Sequence, residues 1–104
     1  VYRYEIQPDG TVKNGKLFFD FTGIKGEDAI DGVKVDTAGN VYVSAPGGLH
    51  ILSPEGKHLG TLLTPQHAHN MAWGDDDGKT LYLAARTGLY RIKLNIAGVR
   101  PTVK

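Results

Sequence analysis

Two stretches of this chain carry the same pattern. "GNVYVSAPGGLHIL" (39–52) can be laid over "KTLYLAARTGLYRI" (79–92), an offset of 79 − 39 = 40 residues. Val41-Tyr42-Val43 then falls on Leu81-Tyr82-Leu83, and Gly48-Leu49 on Gly88-Leu89. Ahead of these, "VKVD" (33–36) falls on "MAWG" (71–74), with a slightly longer turn in the second copy. A third copy is partial. "VYRYEI" (1–6) and "KLFFDF" (16–21) match the last two strands of such a unit. Repeats of this period restrict a chain to solenoids, propellers or arrays, because each unit must bury one face against its neighbour.

The unit itself narrows the choice. Every segment between turns is short and rich in β-branched and aromatic residues, and none holds a helical period for ten residues. The expected strands are 1–6, 16–21, 32–36, 41–45, 49–53, 58–64, 70–74, 80–85 and 89–95. Between them lie "QPDG", "TGIKGEDA", "TAGN", "PGG", "PEGK", "PQHAH", "DDDGK" and "RTG", which carry turn chemistry. The tail "IAGVRPTVK" has no clear pattern. Four short strands in about 40 residues is the signature of a β-propeller blade. The fold class expected is all-β, a partial propeller of about two to two and a half four-stranded antiparallel blades.

In a blade the first strand lines the central channel and the fourth lies outermost. On that basis 1–21 is the end of one blade, 31–64 a full blade, and 69–95 a last blade lacking its outer strand. About two blades cannot close a ring that needs roughly four to eight. The expectation is therefore the C-terminal part of a larger propeller, and a start at Val1 without Met fits a processed or truncated chain. If the chain is whole, exposed strand edges would drive self-association, with three copies approximating a six-bladed ring.

Composition excludes several functions. Among 104 residues, 12 basic and 11 acidic side chains leave a net charge of +1, which singles out no nucleic acid, membrane or acidic partner. With no cysteine there is no disulfide framework and no thiolate chemistry. No apolar run approaches the roughly 20 residues that span a bilayer, and no signal peptide is visible. A soluble protein is expected, cytoplasmic or periplasmic.

In order and spacing, "DGVKVDTAGNVYV", "APGGL" and "LYLAARTGLYRI" resemble the senescence-marker-protein/gluconolactonase family of six-bladed propellers, in particular its bacterial gluconolactonase-like members. The likeness extends from "VYRYEIQPDGTVKNGKLFFDF" through "NMAWGDDDGKTLYLAARTGLYRIKLNIAG", about 95 residues. It implies a metal-dependent sugar-lactone hydrolase with a divalent cation, most often calcium, at the bottom of the channel. It also implies a ligand set of one Glu, two Asn and one Asp, the Asp standing in an Asp-Gly pair that opens an inner strand. Only that Asp has a counterpart here, Asp31. The resemblance makes Asp31 the metal ligand and a candidate proton acceptor, and the small-molecule partner a sugar lactone.

The residues point to Asp31 independently. It precedes an innermost strand, where side chains converge on the channel, and a hard cation prefers carboxylate oxygen. The competing reading is a cap, with the carboxylate satisfying a backbone amide at the bend. His69 and Asn70 align with Asp31 and Gly32 across the repeat, so both are candidate substrate contacts. His67 and His69 are spaced like a zinc pair on a strand but lack further nitrogen or sulfur partners, so loop polarity is the better reading of His67. His50 and His58 fall on outer strands and are expected to face solvent. "DDDGKT" (75–80) lacks the spacing and bidentate Glu of an EF-hand and reads as a hairpin turn. Arg86 is expected at the channel end or in solvent. Ser44 has neither an elbow motif nor a base. Trp73, Tyr42, Tyr82 and Tyr90 read as blade packing. The alternative to a lactonase is a non-catalytic binding or scaffold propeller.

Overall fold

The computed structural model describes residues 1–26 and 29–101. Glu27 and Asp28 of the connecting stretch, and positions 102–104 of the tail, lie outside the described residues. Among the described residues, nine strands form three antiparallel sheets. The first is a hairpin of β1 (Tyr2–Ile6) and β2 (Val12–Leu17). The second runs in the order β3 (Val33–Val35), β4 (Val41–Ala45), β5 (Gly48–Leu52), β6 (His58–Leu62). The third comprises β7 (Asn70–Gly74), β8 (Thr80–Ala85) and β9 (Gly88–Lys93).

The second strand differs from the sequence expectation. It occupies Val12–Leu17 and not 16–21, because Val12 pairs with Ile6 and Leu17 with Tyr2. A register shift opposite Arg3 and Glu5 coincides with Asn14 in the left-handed region, at φ 55°. The chain then leaves the sheet. Phe21 is buried with Val43, Ala45 and Leu52, and Phe18 and Phe19 pack against them. The aromatic run is hydrophobic because it packs against β4 and β5, not because it forms a ladder.

The strand period of two explains β4. Tyr42 joins Leu49, Met71, Trp73, Leu81 and Leu83 in the core facing the third sheet. Val43 and Ala45, on the opposite face, join the core covered by Val1, Phe18, Phe19, Phe21 and Ile24. A strand covered on both faces needs a near-continuous apolar run, and "VYVSA" supplies one. Each fully buried Leu or Val contributes about 1.5–3 kcal/mol.

The two turn carboxylates act alike. Asp36 Oδ1 accepts from the amides of Ala38 and Asn40, both at 2.9 Å. Its Oδ2 accepts from Asn40 Nδ2 and from the Tyr42 hydroxyl, also at 2.9 Å. One repeat later, Asp75 accepts from the Thr80 hydroxyl at 2.5 Å and the Tyr82 hydroxyl at 2.7 Å. Those hydroxyls, Thr80 first and then Tyr82, hold the Asp75 carboxyl below its ordinary value. Burial, reinforced by Asp36, pushes the Tyr42 phenol above its ordinary range.

The tail has a structural role that its sequence did not announce. Ala97 O accepts from Thr37 N at 2.8 Å, Gly98 N donates to Gly78 O at 3.0 Å, and Val99 N donates to Val35 O at 3.0 Å. It thus straps the far end of β3 to the β7–β8 turn. Arg100 adds a bond from Nη1 to Asp75 O at 2.9 Å. Trp73 lies directly on Gly98, where a Cβ would sit 1.8 Å from the indole Cγ.

Two outcomes are expected. Tyr42→Phe leaves the buried Asp36 carboxylate one donor short, and stability falls by about 1.5–3 kcal/mol. Gly98→Ala forces Trp73 or the strap to move and costs about 1–3 kcal/mol. Urea unfolding at unchanged slope checks both.

Candidate functional site

Asp31 and Gly32 are the entrance to β3, and His69 and Asn70 the entrance to β7. Backbone bonds join the two. Ala84 O accepts from His69 N, His69 O from Gly32 N, Gly32 O from Ser44 N, and Ser44 O from Asp31 N, each at 2.9 Å. The Ser44 hydroxyl, fully buried, donates to Ala68 O and adds a fifth link. Gly32 is required by this approach. A Cβ there would lie 2.5 Å from Asn70 Oδ1, 2.8 Å from Asn70 Cα and 2.9 Å from His69 O.

The three candidate site residues are therefore brought together. Asp31 Oδ2 lies 3.7 Å from His69 Nδ1, with the two side chains 58% and 35% exposed. Asn70 sits across Gly32, and its Oδ1 also accepts from Met71 N at 2.8 Å. Asp31 differs from the turn carboxylates. Asp9, Asp20, Asp36 and Asp77 each accept a backbone amide two residues ahead, as the Asx-turn pattern prescribes. Asp31 presents its carboxylate to solvent and to the His69 ring.

A metal there draws on a partial donor set. An exposed carboxylate suits a hard cation, and the neighbouring imidazole suits its orientation. Among the described residues no group of three or more His, Cys, Asp or Glu side chains converges as a metal site. The donors present fit one corner of a coordination shell.

The remaining candidates separate cleanly. His67 is half-buried, its ring 5.2 Å from that of His69 at 75°. Asp75–Gly78 form the expected turn, with Asp77 ion-paired to Lys93. Arg86 is exposed in the β8–β9 turn at φ 49°. Tyr42 and Trp73 are buried and meet edge to face at 5.2 Å. Tyr82 and Tyr90 are half-buried.

The expectation for His50 is overturned. His50 does not face solvent; it is 4% exposed. It shares a β5 face with Leu52, and Phe21, from the segment after β2, meets its ring edge-on at 4.9 Å. His58 is exposed, as expected, and lies 3.0 Å from it, Nε2 to His50 Nδ1. The sequence signal was two histidines on one hairpin, but β5–β6 carries a register shift at Ile51/Leu52, so strand counting alone does not bring them together.

Residues 1–87 match the SMP-30/Gluconolactonase/LRE-like region. A candidate gluconolactonase solved by X-ray crystallography is 33% identical, with a TM-score of 0.81 over 96% of this chain and 33% of that one. A luciferin-regenerating enzyme is 19% identical, with a TM-score of 0.78 over 98% of this chain and 41% of that one. The second likeness concerns fold alone. The chain thus spans a third of the first protein and about two fifths of the second. No curated protein matches.

Gly32→Ala pries the two entrances apart. Stability is expected to fall by about 1–3 kcal/mol. Hydrogen exchange is expected to quicken at the Gly32 and Ser44 amides before the β4–β5 ladder, and amide exchange by NMR resolves the two.

Proposed function

The chain belongs to the SMP-30/gluconolactonase/LRE-like family, and on that premise we propose that it forms the C-terminal blades of a metal-dependent sugar-lactone hydrolase, with Asp31 in the metal site. The carrying observation is the open Asp31 carboxylate, held beside His69 at a blade entrance instead of being used in a turn. The blade division proposed is 1–21, 31–64 and 69–95, with the missing ligands supplied from outside these residues. Exposed apolar side chains on the first hairpin, Tyr2, Tyr4, Ile6, Val12 and Leu17, support further blades packed there.

The reaction adds water to a cyclic ester. The water oxygen bonds to the carbonyl carbon, the ring C–O bond breaks, and the released oxygen takes a proton to give a hydroxy acid. A bound divalent cation, calcium in this reading, supplies Lewis-acid polarisation of the carbonyl and a lowered water pKa. Asp31 would hold it through a carboxylate oxygen and accept the proton of the attacking water. His69 orients that carboxylate from the side. Asn70 offers an amide to the sugar hydroxyls. The backbone links from Ala84 to Ser44 keep these groups in register, which preorganises the site.

Asp31→Asn keeps the shape of the side chain and removes its charge. In the full-length protein, calorimetric calcium binding is expected to be lost, and kcat/KM for aldonolactones to fall about 10²–10⁴-fold. Unchanged calcium binding and turnover would take Asp31 out of the site. Calcium binding without hydrolysis of any lactone by the native protein would leave a binding propeller.

A further inference from the structure

The His50–His58 pair lies on the outer strands of the middle sheet, away from the blade entrances. Its polar atoms close a three-membered set of hydrogen-bond contacts. Three donor atoms stand at the corners of a small triangle. His50 Nδ1 and His58 Nε2 are 3.0 Å apart, His50 Nδ1 and Thr61 Oγ1 3.3 Å, and His58 Nε2 and Thr61 Oγ1 3.2 Å. In a tetrahedral site with metal–ligand bonds of about 2.0–2.1 Å, ligand atoms are separated by about 3.3 Å. The triangle has the size of one face of that tetrahedron.

The second shell is also in place. His50 Nε2 lies 2.8 Å from Pro46 O. A carbonyl only accepts, so Nε2 carries a hydrogen and the Nδ1 lone pair points at His58 and Thr61. Metal-binding histidines are oriented in this way, one ring nitrogen on the metal and the other donating to a carbonyl. Phe21 stands against the His50 ring at 4.9 Å, and Phe19 against His58 at 5.9 Å. These rings fix the imidazoles and exclude water on the inner side. His58 and Thr61 are exposed, which leaves an approach from solvent.

We propose that His50 Nδ1, His58 Nε2 and Thr61 Oγ1 bind one imidazole-preferring divalent ion, zinc being the expected occupant, with water completing the shell. Without metal, the His58 Nε2–H or the Thr61 hydroxyl donates to the His50 lone pair. On binding, the His58 proton moves from Nε2 to Nδ1, so both imidazoles remain neutral. Imidazole nitrogens favour zinc, copper and nickel over calcium. The site is thus chemically distinct from the carboxylate of Asp31, and it does not depend on the lactonase reading.

The test is zinc chloride titration, by calorimetry, of the metal-free full-length protein with excess calcium present. One equivalent is expected to bind. His58→Ala, an exposed position, is expected to weaken that binding at least tenfold while retaining the native melting curve. Asp31→Asn and His67→Ala are expected to leave it unchanged. In NMR spectra of the native protein, zinc should shift the His50 and His58 ring signals together. No saturable zinc binding, equal affinity in His58→Ala, or a loss that follows His67→Ala would each overturn the proposal.

Discussion

Everything at the candidate site hangs on the backbone links that join two blade entrances. A three-residue inner strand, β3, has little ladder of its own, and Val33 and Val35 are exposed. It is held at one end by the bonds running from Ala84 through His69 and Gly32 to Ser44, and at the other by Ala97 and Val99 of the tail. Backbone groups that would otherwise be stranded beside a buried Ser44 are paired by this arrangement. Because the links pass through the amides of Asp31, Gly32 and His69 and the carbonyls of Gly32 and His69, the backbone that carries the Asp31 and His69 side chains is fixed.

The contrast among aspartates carries the functional argument. Asp36 is almost wholly buried and spends its carboxylate on two amides, an amide side chain and a phenol. Asp75 makes the corresponding bonds to Thr80 and Tyr82 one repeat later. Such fully engaged carboxylates anchor turns and have little capacity left for a ligand. Asp31 is outside that scheme, with a solvent-facing oxygen and a histidine beside it. The same residue type thus serves two ends, distinguished by what the surrounding chain asks of its oxygens.

Much of this was legible in advance, and the failures share one cause. The repeat, the turns and the alignment of His69 with Asp31 across it are readable because blades reuse local patterns. The second strand lies earlier than its apolar run suggests, because Phe18, Phe19 and Phe21 are apolar for packing against β4 and β5, and a strand demands the same residue types. The burial of His50 is not legible, because a place on an outer strand does not specify which face Phe21 covers. The tail showed no pattern because its contribution is three backbone bonds and a glycine beneath Trp73.

The amino-acid sequence by itself determined the all-β class, the 40-residue unit, the hairpin turns and the family resemblance. These rest on periodicity and on residues whose backbone preferences act within a few positions. Only the tertiary structure decided that Asp31 is open while Asp36 is spent, that His50 is buried against Phe21, and that His50, His58 and Thr61 converge. Those outcomes depend on sheet packing and on one register shift. Contacts between segments far apart in the chain set them, and no local pattern encodes such contacts.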